Sequence, residues 1–286
     1  MANTRALKAR IASAEGILQV TKSMKMVSAS KMRRVQAAKN SLGPMAEKSR
    51  RLLAQVTAGA GETREPLLSV RQEVKRVCYV LIVGNRGLCG VYNTALVKYL
   101  EELLARDERD STLVVCGSWG KDEIEPILPV DRRFDGIGDL PTAREAGELA
   151  DYLKGLYRSG ETDEVIFVYQ RYDSFLKQTP SRFTLLPVRP AQGGKSADGI
   201  LFEPDKDSLI SRLKELYVSS AVYDLLLEGR TGEHAARMSS MTSAADNTEE
   251  LIRKLTLDLN HIRQAAITTE ISEIAGGAEA LNGVKS

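Results

Sequence analysis

The chain of 286 residues is 43% hydrophobic and carries 40 lysines and arginines against 38 aspartates and glutamates, a net charge of +2. That length buries one good core or two modest ones, and the balanced charge excludes both a disordered chain and one that coats nucleic acid wholesale. No run approaches the roughly 18 apolar residues of a membrane-spanning helix, and Met1-Ala-Asn-Thr-Arg5 lacks a secretory leader's apolar core, so a soluble, folded protein without membrane insertion is expected.

From about residue 3 to about residue 57, Ala, Lys, Arg, Met, Leu and Gln dominate and Pro44 is the one proline, which predicts a long helix. Leu7, Ile11, Ala14, Leu18, Thr21, Lys25, Ser28, Met32 and Val35 recur at intervals of four and three, a heptad seam. After a linker at Gly59-Ala-Gly61, β-rich apolar runs at 77–83, 112–116, 165–169 and 183–188, with a weaker one at 130–134, alternate with helical patterns at 93–105 and 143–157. Strand-helix alternation of this kind predicts an α/β domain built on a mostly parallel sheet. A second linker, Gln192-Gly-Gly-Lys-Ser196, leads to a helix capped by Asp205 or Asp207 and running to about residue 282.

In that helix Met238, Met241, Ala245, Thr248, Ile252, Leu255, Leu259, Ile262, Ala266, Thr269 and Glu273 form a second seam. Two seams at opposite ends of the chain predict one coiled coil. At ~1.5 Å per residue the second helix is roughly 110 Å long, too long to fold into a compact domain. Gly229 and Gly232 predict a kink or break, unless packing holds the helix straight. The expected domains are 1–58, 74–190 and 205–286.

Candidate chemistry is sparse. Val80-Leu-Ile-Val-Gly-Asn-Arg-Gly-Leu-Cys-Gly-Val-Tyr-Asn93 runs strand, glycines, helix, the setting of a phosphate site. Its spacing is G-x-x-G-x-x-G, however, with no P-loop lysine, and no carboxylate follows the second strand until Asp122. Gly193-Gly-Lys-Ser196 is half a P-loop in a linker. The loop is therefore expected to be a tight turn, with Asn85 and Arg86 facing solvent or a protein partner and no nucleotide or other cofactor bound. Cys78, Cys89 and Cys116 lack paired spacing and lie far from His234 and His261, which points to a reducing compartment and to no metal site. Glu233 beside His234 reads as two exposed polar residues, and Met24, Met26 and Met32 as flexible packing.

Residues 1–60 hold twelve Lys/Arg against two Asp/Glu, whereas 233–286 hold five against eight, so the two helices are electrically complementary. The surplus charge in Thr21-Lys-Ser-Met-Lys-Met-Val-Ser-Ala-Ser-Lys-Met-Arg-Arg34 has no interleaved aromatics, which favours an acidic protein surface over nucleic acid as partner. A dinucleotide enzyme and a nucleic-acid adaptor remain as alternatives.

Ile267-Thr-Thr-Glu-Ile-Ser-Glu-Ile-Ala-Gly-Gly-Ala-Glu-Ala280 resembles the C-terminal signature of the gamma subunit of rotary ATP synthases, bacterial type. The run ending Lys31-Met32, the loop Arg86-Gly-Leu-Cys-Gly90, Ala235-Ala-Arg-Met238 and Asp246-Asn247 agree with it. The resemblance implies a non-catalytic rotor shaft. Its terminal helices would form an antiparallel coiled coil inside a ring of alpha and beta subunits, and its Rossmann-like domain a foot with the epsilon subunit on the membrane c-ring.

By the same likeness Met24, Lys25, Arg33, Arg34, Arg237, Arg263, Gln264, Thr268 and Glu270 are expected to contact the ring, and Phe202 and Glu203 the c-ring or epsilon foot. A rotating bearing should avoid aromatic anchors, and beyond Met238 the one aromatic ring is His261, with Ser239, Ser240, Thr242 and Ser243 as small hydroxyls. The chain lacks the cysteine-bearing insert of the chloroplast form. With no transit peptide, the expected location is peripheral, on the cytoplasmic face of a bacterial inner membrane.

Overall fold

Hydrophobic residues on every position of a strand demand cover on both faces, and the strand Arg76–Ile82 (β1) is buried at every residue after Arg76. The computed structural model describes residues 2–57, 65–69, 71, 73–175, 177–189, 203 and 205–283. Helix α1 is Ala2–Thr57. After β1 come α2 (Tyr92–Leu104), β2 (Asp110–Cys116), α3 (Lys121–Ile124), β3 (Val130–Phe134), α4 (Ala143–Ser159), β4 (Glu164–Ser174), β5 (Lys177–Leu186) and α5 (Lys206–Gly283).

The sheet order is β3-β2-β1-β4-β5; β1 pairs in parallel with β2 and β4, and β2 with β3. Only β5 runs antiparallel, against β4. Alternation along β1 divides the core. Cys78, Val80 and Ile82 pack with α4 and with residues of α1 and α5 such as Leu53 and Val222, while Tyr79, Leu81 and Val83 pack with Leu96 and Leu100 of α2. Thr142 and Glu145 form a capping box that starts α4, and Asp205 accepts from the Ser208 N–H to start α5.

Two units make up the structure, Val27–Ser239 and Met1–Met26 with Ser240–Ser286. Within the first, α1 and α5 run antiparallel: Lys39 pairs with Glu228, Gly43 lies against Asp224, and Arg50 shares a cavity with Tyr217. Within the second, Leu7, Ala14 and Thr21 of α1 and Met241, Ala245 and Leu255 of α5 are buried at the predicted seam positions. Lys22 and Glu249 form an exposed ion pair at 2.6 Å. Past Ile262 the burial ends, and every residue from Arg263 to Gly276 is exposed.

Gly229 and Gly232 do not break α5, which is helical throughout. A Cβ on Gly229 would stand 2.6 Å from Cγ2 of Ile82, and one on Gly232 3.2 Å from the Tyr92 ring. Packing that only glycine permits holds the helix against the sheet domain. The linkers at 59–61 and 192–196, and Phe202, lie outside the described residues.

Candidate functional site

Open α/β sheets bind ligands in the crevice beyond the carboxyl ends of their strands, where the strand order reverses. Here that crevice, at β1 and β4, is filled by α5. Gly229 lies on Ile82 of β1, Gly232 lies on Gln170 of β4, and Tyr92 at the start of α2 donates its hydroxyl to the Gly229 carbonyl at 2.7 Å. Glu228 accepts the Tyr172 N–H at 2.7 Å and pairs with Lys39 of α1, tying α5 to β4 and α1 together.

On the same stretch of α5, the glycine loop meets two arginines. Arg230 donates to the carbonyls of Val83 and Ile137 at 3.3 and 2.9 Å and to Oδ1 of Asn85 at 3.0 Å. Arg237 donates to the carbonyls of Arg86 and Gly87 at 3.1 and 3.3 Å. Between them Glu233 accepts one bond of 2.7 Å from each. A phosphate cradle turns its N–H groups toward an anion, whereas this loop turns carbonyls toward cations. Gly84 is needed because a Cβ there would come within 3.0 Å of the Glu233 carboxyl carbon.

Glu233 and His234 are each 1% exposed and Arg230 is 2% exposed. Burial alone would raise the Glu233 carboxyl, but Arg230 and Arg237 outweigh it and hold it below the ordinary carboxylate value. Burial lowers His234, so its ring is neutral near pH 7. Its Nε2 faces the Asp139 carbonyl at 3.3 Å, and the Asp139 carboxylate binds Lys31 of α1 at 2.5 Å.

Three expectations are corrected by this network. Glu233 and His234 are not exposed, because two guanidiniums and a carbonyl satisfy them inside. Asn85 does not face outward: its side chain bridges Arg230 and the Ile137 carbonyl, and only Arg86 is exposed. Arg237, expected on the ring-facing surface, is 7% exposed and directed into the loop. Regular periodicity gave no sign of this, but small residues did. Gly229, Thr231, Gly232, Ala235 and Ala236 surround the charges, and such residues on a helix mark close packing that forces the charges between them to pair.

The other expected contact residues fall apart from this cluster. Met24 and Lys25 are half-buried and Arg33 and Arg34 exposed on α1; Arg263, Gln264, Thr268 and Glu270 are exposed on α5, and Glu203 is exposed. The three cysteines are buried thiols, with Cys78 and Cys116 pushed up to about 12 by burial. Among the described residues no cluster of His, Cys, Asp or Glu is arranged to hold a metal, and no helix is long and apolar enough to cross a membrane.

Paired helices from the two chain ends, the second of them seated in the ligand crevice of an α/β domain, define a stalk-type subunit. The family model described as ATP synthase matches residues 3–281. The ATP synthase gamma chain of Desulfitobacterium hafniense is 41% identical over 98% of this chain and 100% of its own length, and that of Moorella thermoacetica 39% identical over the same shares. In fold the chain is similar to one in Euglena gracilis mitochondrial ATP synthase, OSCP/F1/c-ring, rotational state 3, with a TM-score of 0.71 at 22% identity over 100% of this chain and 96% of that one. The chain belongs to the ATP synthase gamma chain family.

Proposed function

We propose that the chain is the rotor shaft of a bacterial ATP synthase, with no catalytic site of its own, coupling rotation of a c-ring to nucleotide exchange in a surrounding alpha–beta ring. The carrying observation is the stretch Arg263–Gly276 of α5, helical yet exposed on all sides, with Ile267, Ile271 and Ile274 bare at 47%, 62% and 69%. Among the described residues nothing of its own chain packs on this stretch, so a partner must cover it.

Coupling requires that each shaft orientation favour a different conformer of each ring subunit by differential contact energy. Met24, Lys25, Arg33 and Arg34 on α1 supply a basic face for acidic loops of the ring, and Arg263, Gln264, Thr268 and Glu270 supply polar contacts that form and release. The α/β domain, and by the same family likeness Glu203 and Phe202, would meet the epsilon subunit and the c-ring, on the cytoplasmic face of the inner membrane. A crevice already filled by α5 supports a scaffold role over a nucleotide enzyme.

Co-expression with bacterial alpha, beta and epsilon subunits tests the reading. An ATPase complex containing one copy of this chain is expected, and persistent failure to associate would overturn it.

A further inference from the structure

Away from the loop network, Tyr169 of β4, Phe183 of β5 and Tyr217 of α5 line one cavity of about 230 Å³, completed by Glu47, Arg50 and Asp224. Arg50 and Arg51 share Glu47, at 3.0 and 2.7 Å, and Lys39 pairs closely with Glu228. Asp224 is held more loosely: Lys39 comes only to 4.0 Å of its Oδ1, and that oxygen is buried without a hydrogen-bond partner. Burial raises the Asp224 carboxyl, against the opposing pull of Lys39, as expected where counter-charge is incomplete. Gly43 of α1 keeps the space open, since a Cβ there would come within 3.0 Å of the same oxygen.

Aromatic rings beside a carboxylate oxygen that no donor reaches attract cations, through the negative faces of the rings and through the carboxylate itself. The volume is below the roughly 300–1,000 Å³ of drug-sized sites, which suits a small head group on a short alkyl stem. We propose that this cavity binds an organic cation, an alkylammonium or guanidinium head paired with Asp224 and flanked by Tyr169, Phe183 and Tyr217. The head group is either that of a free amine or the end of a lysine or arginine from a subunit docked beside α1 and α5.

Calorimetric titration of the full chain with n-butylammonium chloride, against sodium propionate at matched ionic strength, tests the site. Saturable binding of the amine alone is expected, weakened about tenfold or more by Asp224→Asn and measurably by Phe183→Leu. No saturable binding, or equal binding by Asp224→Asn, would overturn it and leave a water-filled hollow. The sources separate in the assembled ATPase complex. Loss of n-butylammonium binding in the complex identifies a side chain, a lysine where carbodiimide also couples it to Asp224 and an arginine where it does not, whereas undiminished amine binding identifies a free ligand.

Discussion

Replacing Gly229 by alanine sets two effects of known sign against each other. Alanine is favoured over glycine in a helix interior by about 1 kcal/mol. The added methyl, however, would sit 2.6 Å from Cγ2 and 3.5 Å from Cβ of Ile82, and 3.6 Å from the Tyr92 hydroxyl. Contact between carbons is comfortable at about 3.5–4.0 Å, so one side must retreat by about 1 Å. Ile82 is 1% exposed and on a central strand, so α5 must move, which costs about 1–3 kcal/mol of overpacking and strains the 2.7 Å bond from Tyr92 to the Gly229 carbonyl. The net expectation is a loss of about 1–2 kcal/mol. Urea unfolding followed by fluorescence of Trp119, the one tryptophan, measures it. Gly155 of α4 is the contrast: no atom lies within 4 Å of its added Cβ, so Gly155→Ala should stabilise by about 0.5–1 kcal/mol. In an Ile82→Ala background the cost of Gly229→Ala should shrink. A Gly229→Ala protein as stable as the parent, or a cost unchanged by Ile82→Ala, would refute the packing account.

Glu233→Gln leaves two buried guanidiniums without their carboxylate and should cost about 3–5 kcal/mol by the same urea assay, while Glu250→Gln at an exposed ion pair should change nothing measurable. Asp107 is held down to about 2, chiefly by hydrogen bonds from Arg109, so the stability it adds is complete above its ordinary value near 3.8 and lost as pH falls toward 2. The stability gap between parent and Asp107→Asn should therefore be constant above about pH 4 and narrow below it; a gap indifferent to pH would contradict the pairing. The three buried thiols should react with Ellman's reagent only in denaturant, giving none per native chain at pH 8. In the assembled complex, Ser243→Trp should slow ATP hydrolysis by planting an aromatic anchor on the shaft, and an unchanged rate would count against the bearing idea.

Periodicity and propensity made the helices and strands legible. Of the predicted seams, Leu7, Ala14, Thr21, Met241, Ala245 and Leu255 are buried and the other positions up to Lys25 and from Met241 to Ile262 are half-buried, and even the weak run at 130–134 is β3. Seam positions beyond Ile262, such as Ala266 and Thr269, repeat in register yet are exposed, because a heptad pattern does not say where its partner ends. The glycine loop was legible as a turn between a strand and a helix. What occupies it was not, because Arg230 reaches Asn85 across 145 residues of sequence and no local pattern reports a contact that distant. Arg237 illustrates the same limit, since a charged residue on a helix reads as surface until its remote acceptors are known.

Rotation itself is the most direct measurement. With the ring of a purified alpha–beta complex fixed to glass and a gold rod attached through a cysteine introduced at the exposed Asp122, ATP should drive stepwise turning of the rod in one direction. A complex that hydrolyses ATP at full rate while the rod only jitters in place would contradict the shaft.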